Sequence, residues 1–173
     1  MADTHDHQIC IDRAIDSARR ICLEKNLRLT DLRLNVLRVV WASHKPVGAY
    51  DIIDRLSEVQ SSQATGADAS TDKPKRVAPP TVYRALEFLQ QNGLVHRLAT
   101  INAFIGCGHP MEDHHSHFFI CRECHHTVES SKNKIQKALL KDAREHNFLP
   151  EEGTIEVLGL CSECLHDQTR KAS

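Results

Sequence analysis

Two Cys-x-x-Cys pairs, Cys121/Cys124 and Cys161/Cys164, carry the strongest chemical signal in this 173-residue chain. Thiolates so spaced on a tight turn can fill two corners of a tetrahedron, and zinc prefers four such ligands. Two pairs together make a closed all-sulfur site with no corner left for water, so its expected role is structural. The interval between them exceeds that of a short zinc ribbon, and a helix between two strands fills it. A redox dithiol is the competing reading. Such motifs rarely come doubled without a thioredoxin-like βαβ pattern.

A second constellation comprises His96, Cys107, the run His114-His115-Ser116-His117, and Glu129. One metal ion held by His96, Cys107, His114 and Glu129 would tie a hairpin to the C-terminal module. Taken singly, residues of these types are more often solvated or core side chains. A third lies in Pro79-Pro80-Thr81-Val82-Tyr83-Arg84-Ala85-Leu86. With Val82, Leu86 and Leu89 facing inward, Tyr83 and Arg84 project outward. Arginine pairs with a guanine edge or a phosphate, and tyrosine with a thymine methyl or a phosphate. A merely solvated helix face is the bland alternative.

The elements that position these residues follow from periodicity. Ile11, Ile15, Ala18 and Cys22 recur at helical spacing over residues 9–26. Thr30 is placed to cap a second helix, with Leu34, Leu37 and Trp41 on one face and Lys45-Pro46 ending it. Gly48 precedes a third, with Ile52, Ile53 and Leu56 inward. Residues 60–78 are polar and small, and read as a flexible loop. Pro79-Pro80 opens a fourth helix over Thr81 to Asn92, closed by Asn92-Gly93. Leu94–Leu98 and Ala103–Cys107 read as a hairpin. Strands are expected at Phe118–Cys121, Thr127–Glu129 and Ile155–Leu158, with an amphipathic helix over Lys132–His146.

This order predicts an α+β protein. Residues 1–106 would form an N-terminal winged helix-turn-helix domain, and residues 107–173 a small C-terminal α/β module that carries the metal-ligand residues, with a hinge near 99–112. Composition agrees with two modules. Residues 1–100 carry 14 Lys/Arg against 12 Asp/Glu, whereas residues 101–173 carry 8 against 11. Five of the seven cysteines and eight of the twelve histidines lie after residue 100. Net charge is only -1, so any nucleic-acid contact must come from a local patch. No apolar run is long enough for a membrane helix. The polar, acidic N-terminus lacks a secretory pattern, which predicts a cytoplasmic protein with reduced thiols.

The chain resembles the ferric uptake regulator family, and within it the zinc-specific branch, over roughly residues 17–166. The resemblance is carried by Arg28-Leu29-Thr30, Ala49-Tyr50-Asp51, Pro80-Thr81-Val82-Tyr83-Arg84-Ala85-Leu86, Gly93-Leu94-Val95-His96, Phe119-Ile120-Cys121-Arg122-Glu123-Cys124, and Gly159-Leu160-Cys161-Ser162-Glu163-Cys164. It implies a homodimeric repressor that binds palindromic operator DNA when zinc is bound and controls zinc-uptake genes, with residues 1–106 as its winged-helix DNA-binding domain and residues 107–173 as its metal-binding dimerisation domain. By position, Cys121, Cys124, Cys161 and Cys164 resemble the structural zinc site, and His96, Cys107, His114 and Glu129 the regulatory one, giving two Zn2+ per subunit. Tyr50, Tyr83 and Arg84 resemble DNA-contacting residues, joined here by Thr81 and Arg28. The connector after Cys107 is one residue shorter than in a zinc-sensing relative, which leaves His115 and His117 as alternatives to His114. Asp54 matches a position that bridges neighbouring dimers, but Ser57 replaces its arginine partner; Arg55 is nearby and could substitute, so two dimers per operator stays open.

Competing functions remain. Within the family, the alternative is an iron, manganese or peroxide sensor. Cys107 weighs against it, because a soft thiolate in a four-coordinate set favours zinc. A zinc hydrolase is more distant, since neither HExxH nor a deaminase signature is present. A zinc store would have no use for the Pro79–Leu86 run. No small-molecule substrate other than the metal ion is expected.

Overall fold

The computed structural model describes residues 7–43, 45–63, 77–111, 116–151 and 153–171. It divides into two compact units, Met1–Met111 and Glu112–Ser173.

The first unit runs α1 (His7–Glu24), α2 (Asp31–Trp41), β1 (Val47–Gly48), α3 (Ala49–Gln63), α4 (Pro79–Gln91), β2 (Val95–Leu98) and β3 (Ala103–Gly106). Helix α1 stops where Asn26 adopts a left-handed φ of 51°, with the Leu27 N–H returning to the Cys22 carbonyl at 2.7 Å. Thr30 caps α2, its hydroxyl oxygen accepting from the Arg33 N–H. Helix α4 starts on the two prolines, whose missing N–H groups cost nothing in a first turn. It ends on Gly93 at φ 67°, with the Leu94 N–H bonded to the Leu89 carbonyl at 2.9 Å, the left-handed stop that glycine favours. Val36, Leu37, Ile52, Val82, Leu86 and Leu89 meet in one core.

The sheet of this unit has the order β1-β3-β2, all antiparallel. The helices and this hairpin form the expected winged helix. Two details differ from expectation. Residues 60–63, expected within the loop, continue α3 as far as Gln63; the remainder of that stretch through 76 lies outside the described residues. Cys107 belongs to the first unit, because its N–H donates to the Leu94 carbonyl at 3.1 Å and prolongs the β2–β3 pairing by one step.

The second unit runs β4 (His117–Cys121), β5 (Thr127–Ser130), α5 (Asn133–Glu145), β6 (Ile155–Gly159) and α6 (Ser162–Lys171). Strand order is β5-β4-β6, with β4 antiparallel to β5 and parallel to β6. Helix α5 supplies the crossover that a parallel pair requires. Phe118 and Ile120 are buried on one face of β4.

Candidate metal centres and nucleic-acid interface

The parallel pairing of β4 with β6 brings the two Cys-x-x-Cys pairs together. Cys121 closes β4 and stands in register with Gly159 at the end of β6. The Arg122 N–H donates to the Gly159 carbonyl at 2.9 Å. The first pair sits on a turn closed by the His125 N–H bonding the Cys121 carbonyl at 3.0 Å, with His125 at a positive φ of 59°. The second pair brackets the start of α6, an element the sequence reading missed. All four sulfurs lie within 4.8 Å of one another, and Cys124 Sγ is 3.7 Å from Cys161 Sγ. Thiolates about 2.3 Å from a zinc ion at tetrahedral corners are spaced by about 3.8 Å. The cluster fits that metal.

The electrostatics of the thiols carry the same message. Backbone N–H groups of Cys124 and Cys161 aimed at the Cys121 sulfur hold its pKa down at about 6. The His126 N–H pulls Cys124 the same way, but burial and the Cys121 and Cys161 sulfurs outweigh it and leave Cys124 raised. The Cys161 and Cys124 sulfurs, with burial, push Cys164 up. Crowded thiols with unequal pKa values are what a site shows when a dication is needed to let all of them ionise.

In the first unit, His96 on β2 pairs with Ile105 of β3, while Cys107 stands across from Leu94. Leu94 and His96 share a face of the strand, so the imidazole and the thiol converge diagonally across the hairpin. Their ligand atoms lie within 4.8 Å of each other. Cys107 is 1% exposed. Gly106 has a role that sequence reading did not assign. A Cβ there would fall 2.2 Å from the Trp41 indole, so only glycine lets β3 lie flat on α2 next to Cys107. A glycine inside a strand and beside a ligand-type cysteine was the signal available.

Glu129 lies in the second unit on β5, opposite Phe118, and accepts a hydrogen bond of 2.6 Å from the Ser116 hydroxyl. His117 is 2% exposed, and both its ring nitrogens are buried with no hydrogen-bond partner among the described residues. It stands opposite Ser130, which places it on the other side of the sheet from Glu129. His114 and His115 lie outside the described residues.

The outward face of α4 presents Thr81, Tyr83 and Arg84, while Val82, Ala85, Leu86 and Leu89 are buried. Tyr50, at the start of α3, is 73% exposed, and Arg28 is exposed between α1 and α2. Tyr83, Glu87, Gln91, Arg97 and Asn102 line a groove between α4 and the hairpin. Arg97 and Asn102 were not singled out in the sequence. Their side chains meet at 3.4 Å, a pairing that needs the turn itself.

A family description, the ferric uptake regulator family, matches residues 24–158. The chain belongs to the ferric uptake regulator family. Within it the chain falls with the zinc uptake regulators. It is 33% identical over 150 residues to the zinc uptake regulation protein of Escherichia coli (strain K12), covering 86% of this chain and 79% of that one. A solved zinc uptake regulator complexed with zinc and DNA matches with a TM-score of 0.78 and 29% identity, over 96% of this chain and 99% of the other. The holo form of XcZur matches with a TM-score of 0.73 and 39% identity, over 90% and 99%.

Proposed function

We propose that this family member is a zinc-responsive, DNA-binding transcriptional regulator that represses zinc-uptake genes when metal is bound. It is a regulator and not an enzyme. The observation that carries the reading is the pairing of His96 with Cys107 at the base of the hairpin that directly follows α4. A ligand pair fixed there is rigidly joined to the helix that presents Tyr83 and Arg84.

His96 and Cys107 from the first unit, with Glu129 and His114 from the second, form the regulatory site, with His115 as the alternative to His114, since the strand register turns His117 to the other side of the sheet from Glu129. These four side chains would hold a zinc ion, which would supply the shared positive charge that draws a thiolate, a carboxylate and two imidazoles together. Cys107 enters as a thiolate and the imidazoles as neutral ligands, so each protonated ligand gives up its proton. The Ser116 hydroxyl holds the Glu129 carboxylate in one orientation. Locking the two units restricts the DNA-reading unit to arrangements that let two copies enter successive major grooves of a palindrome. Moving such an equilibrium from about 1:99 to 99:1 takes about 5.5 kcal/mol of differential binding, less than the about 10–16 kcal/mol that structural protein–zinc sites supply. Cys121, Cys124, Cys161 and Cys164 hold the second, structural ion.

The functional form is a cytoplasmic homodimer. Phe119, Val128 and Val157 stand in register across β5-β4-β6 and are each about half exposed. Helix α5 buries none of its described residues. An apolar sheet face and an amphipathic helix left uncovered are what a second copy would bury. No helix among the described residues is long and apolar enough to cross a membrane.

The test is Cys107→Ser, assayed with buffered zinc on palindromic duplexes by gel shift. The variant retains one ion per chain and loses zinc-dependent binding. Unchanged zinc-dependent binding would refute the regulatory site.

A further inference from the structure

Arg33 occupies a position unlike that of the other described arginines of the first unit, which are exposed. It is half-buried at the start of α2, and its backbone N–H is held by the Thr30 hydroxyl at 3.4 Å. Its side chain reaches in two directions. One terminal nitrogen, Nη1, donates to the backbone carbonyl of Arg28. The guanidinium carbon, Cζ, lies over the Phe88 ring, 3.4 Å from its centre. Phe88 is on α4, one helical turn beyond Arg84, and it packs against the core.

These contacts join two pieces of backbone with no sheet or helix ladder in common. The segment Leu27–Thr30 leaves the end of α1 through a left-handed residue and enters α2 through an extended cap. Within it the Thr30 carbonyl accepts from the Leu34 N–H at 3.1 Å as the first bond of α2, whereas the Arg28 carbonyl precedes the helix and is met by the Arg33 side chain. Phe88 lies at i+4 from Arg84, so the two share a flank of α4. A stacked guanidinium that fixes the Phe88 ring also fixes the rotation of α4 about its axis. Lysine cannot replace it, since an ammonium has neither the plane that stacks nor the fork that reaches a carbonyl at the same time.

We propose that Arg33 is a positioning residue that sets the spacing between Arg28 and the Tyr83–Arg84 face of α4, without itself touching DNA. The inference rests on the reading of Arg28 and Arg84 as DNA contacts. It adds that their relative placement is built by a third arginine whose polar and flat surfaces are already engaged. A charge that merely attracted phosphate would strengthen every duplex alike. A brace between two contact points affects only the duplex that both must fit.

The experiment uses the zinc-loaded full chain, a duplex selected by it from a random-sequence pool, and a scrambled duplex of equal length. Binding is read by fluorescence anisotropy at a temperature where thermal melting shows each variant fully folded. Arg33→Met is expected to weaken the selected duplex about tenfold and the scrambled one less than threefold. Arg33→Lys, which keeps the charge and is the milder test of folding, shows the same selective loss. In an Arg28→Ala background, adding Arg33→Met costs less than threefold more, because the spacing it maintains has lost one end. Equal losses on both duplexes, wild-type binding by both Arg33 variants, or fully multiplicative losses in the double variant would overturn the brace. Wild-type binding by Arg28→Ala alone identifies a different failure: Arg28 is then no contact, and the spacing argument falls with it.

Discussion

The two sulfur-bearing centres differ in how their ligands are gathered. The four-cysteine cluster draws every ligand from one unit, on turns fixed by backbone hydrogen bonds at the ends of neighbouring strands. The His96–Cys107 pair is also local, but it supplies only half of a four-coordinate set, and the proposed remainder comes from the other unit. A site complete within one unit stabilises that unit whatever else the chain does. A site divided between units makes metal occupancy and unit arrangement one equilibrium. On the proposed function, the contrast separates an ion that holds structure from an ion that reports concentration.

The largest effect expected from breaking this contrast is at the four-cysteine cluster. Cys164→Ser removes a ligand from a closed set, and the second unit should lose its ion and its cooperative melting transition, since structural zinc sites carry on the order of 10 kcal/mol of folding energy. Metal content by mass spectrometry together with circular dichroism melting checks this. A variant retaining both would show that three thiols suffice.

Next in size is the pH response of the same cluster. Zinc binds thiolates, so protons compete with it, and affinity falls as pH falls. Near neutrality the raised Cys124 and Cys164 must each give up a proton, whereas Cys121, held at about 6, is already ionised. Affinity should therefore drop by at least about a hundredfold per pH unit near 7. The slope should steepen below 6, where Cys121 adds its own proton. Competition with a chelator of known affinity from pH 5.5 to about 8 measures both slopes.

A smaller effect sharpens the other side of the comparison. Gly106→Ala drives a methyl group into the Trp41 indole, and displacing β3 should cost the first unit about 1–3 kcal/mol. Because Cys107 is the next residue, zinc-dependent DNA binding should weaken while the four-cysteine ion stays in place. Equal melting temperatures for variant and parent would show that α2 yields freely.

Sequence and structure agree where the determinants are local. The Thr30 cap, the Pro79-Pro80 start, the Gly93 stop and the leucine and isoleucine stripes act within a turn or two of themselves, and each element stands where these features put it. The Cys-x-x-Cys pairs were equally legible as chemistry, because the spacing alone fixes what each can hold. Other features depend on distant partners. Strand β1 has only two residues, Val47 and Gly48, and exists through pairing with Phe104 and Ala103. Helix α6 has little apolar content beyond Leu165, so periodicity had nothing to register. The meeting of Arg33 with Phe88 and of Gly106 with Trp41 needs α2 folded onto α4 and β3, which no window of sequence contains. The side of the sheet taken by His117 follows from strand register, which the His-rich run does not specify.

The parallel register of β4 with β6 has a consequence during synthesis. Cys121 and Cys124 leave the ribosome well before Cys161 and Cys164, with the whole of α5 still to be made. The first unit has by then its full complement of core residues, and N-terminal domains generally fold first during synthesis. The second holds an open two-thiol claw until Cys161 and Cys164 follow, so a stalled chain displays a pair of thiols that the folded unit gathers into a closed four-sulfur cluster.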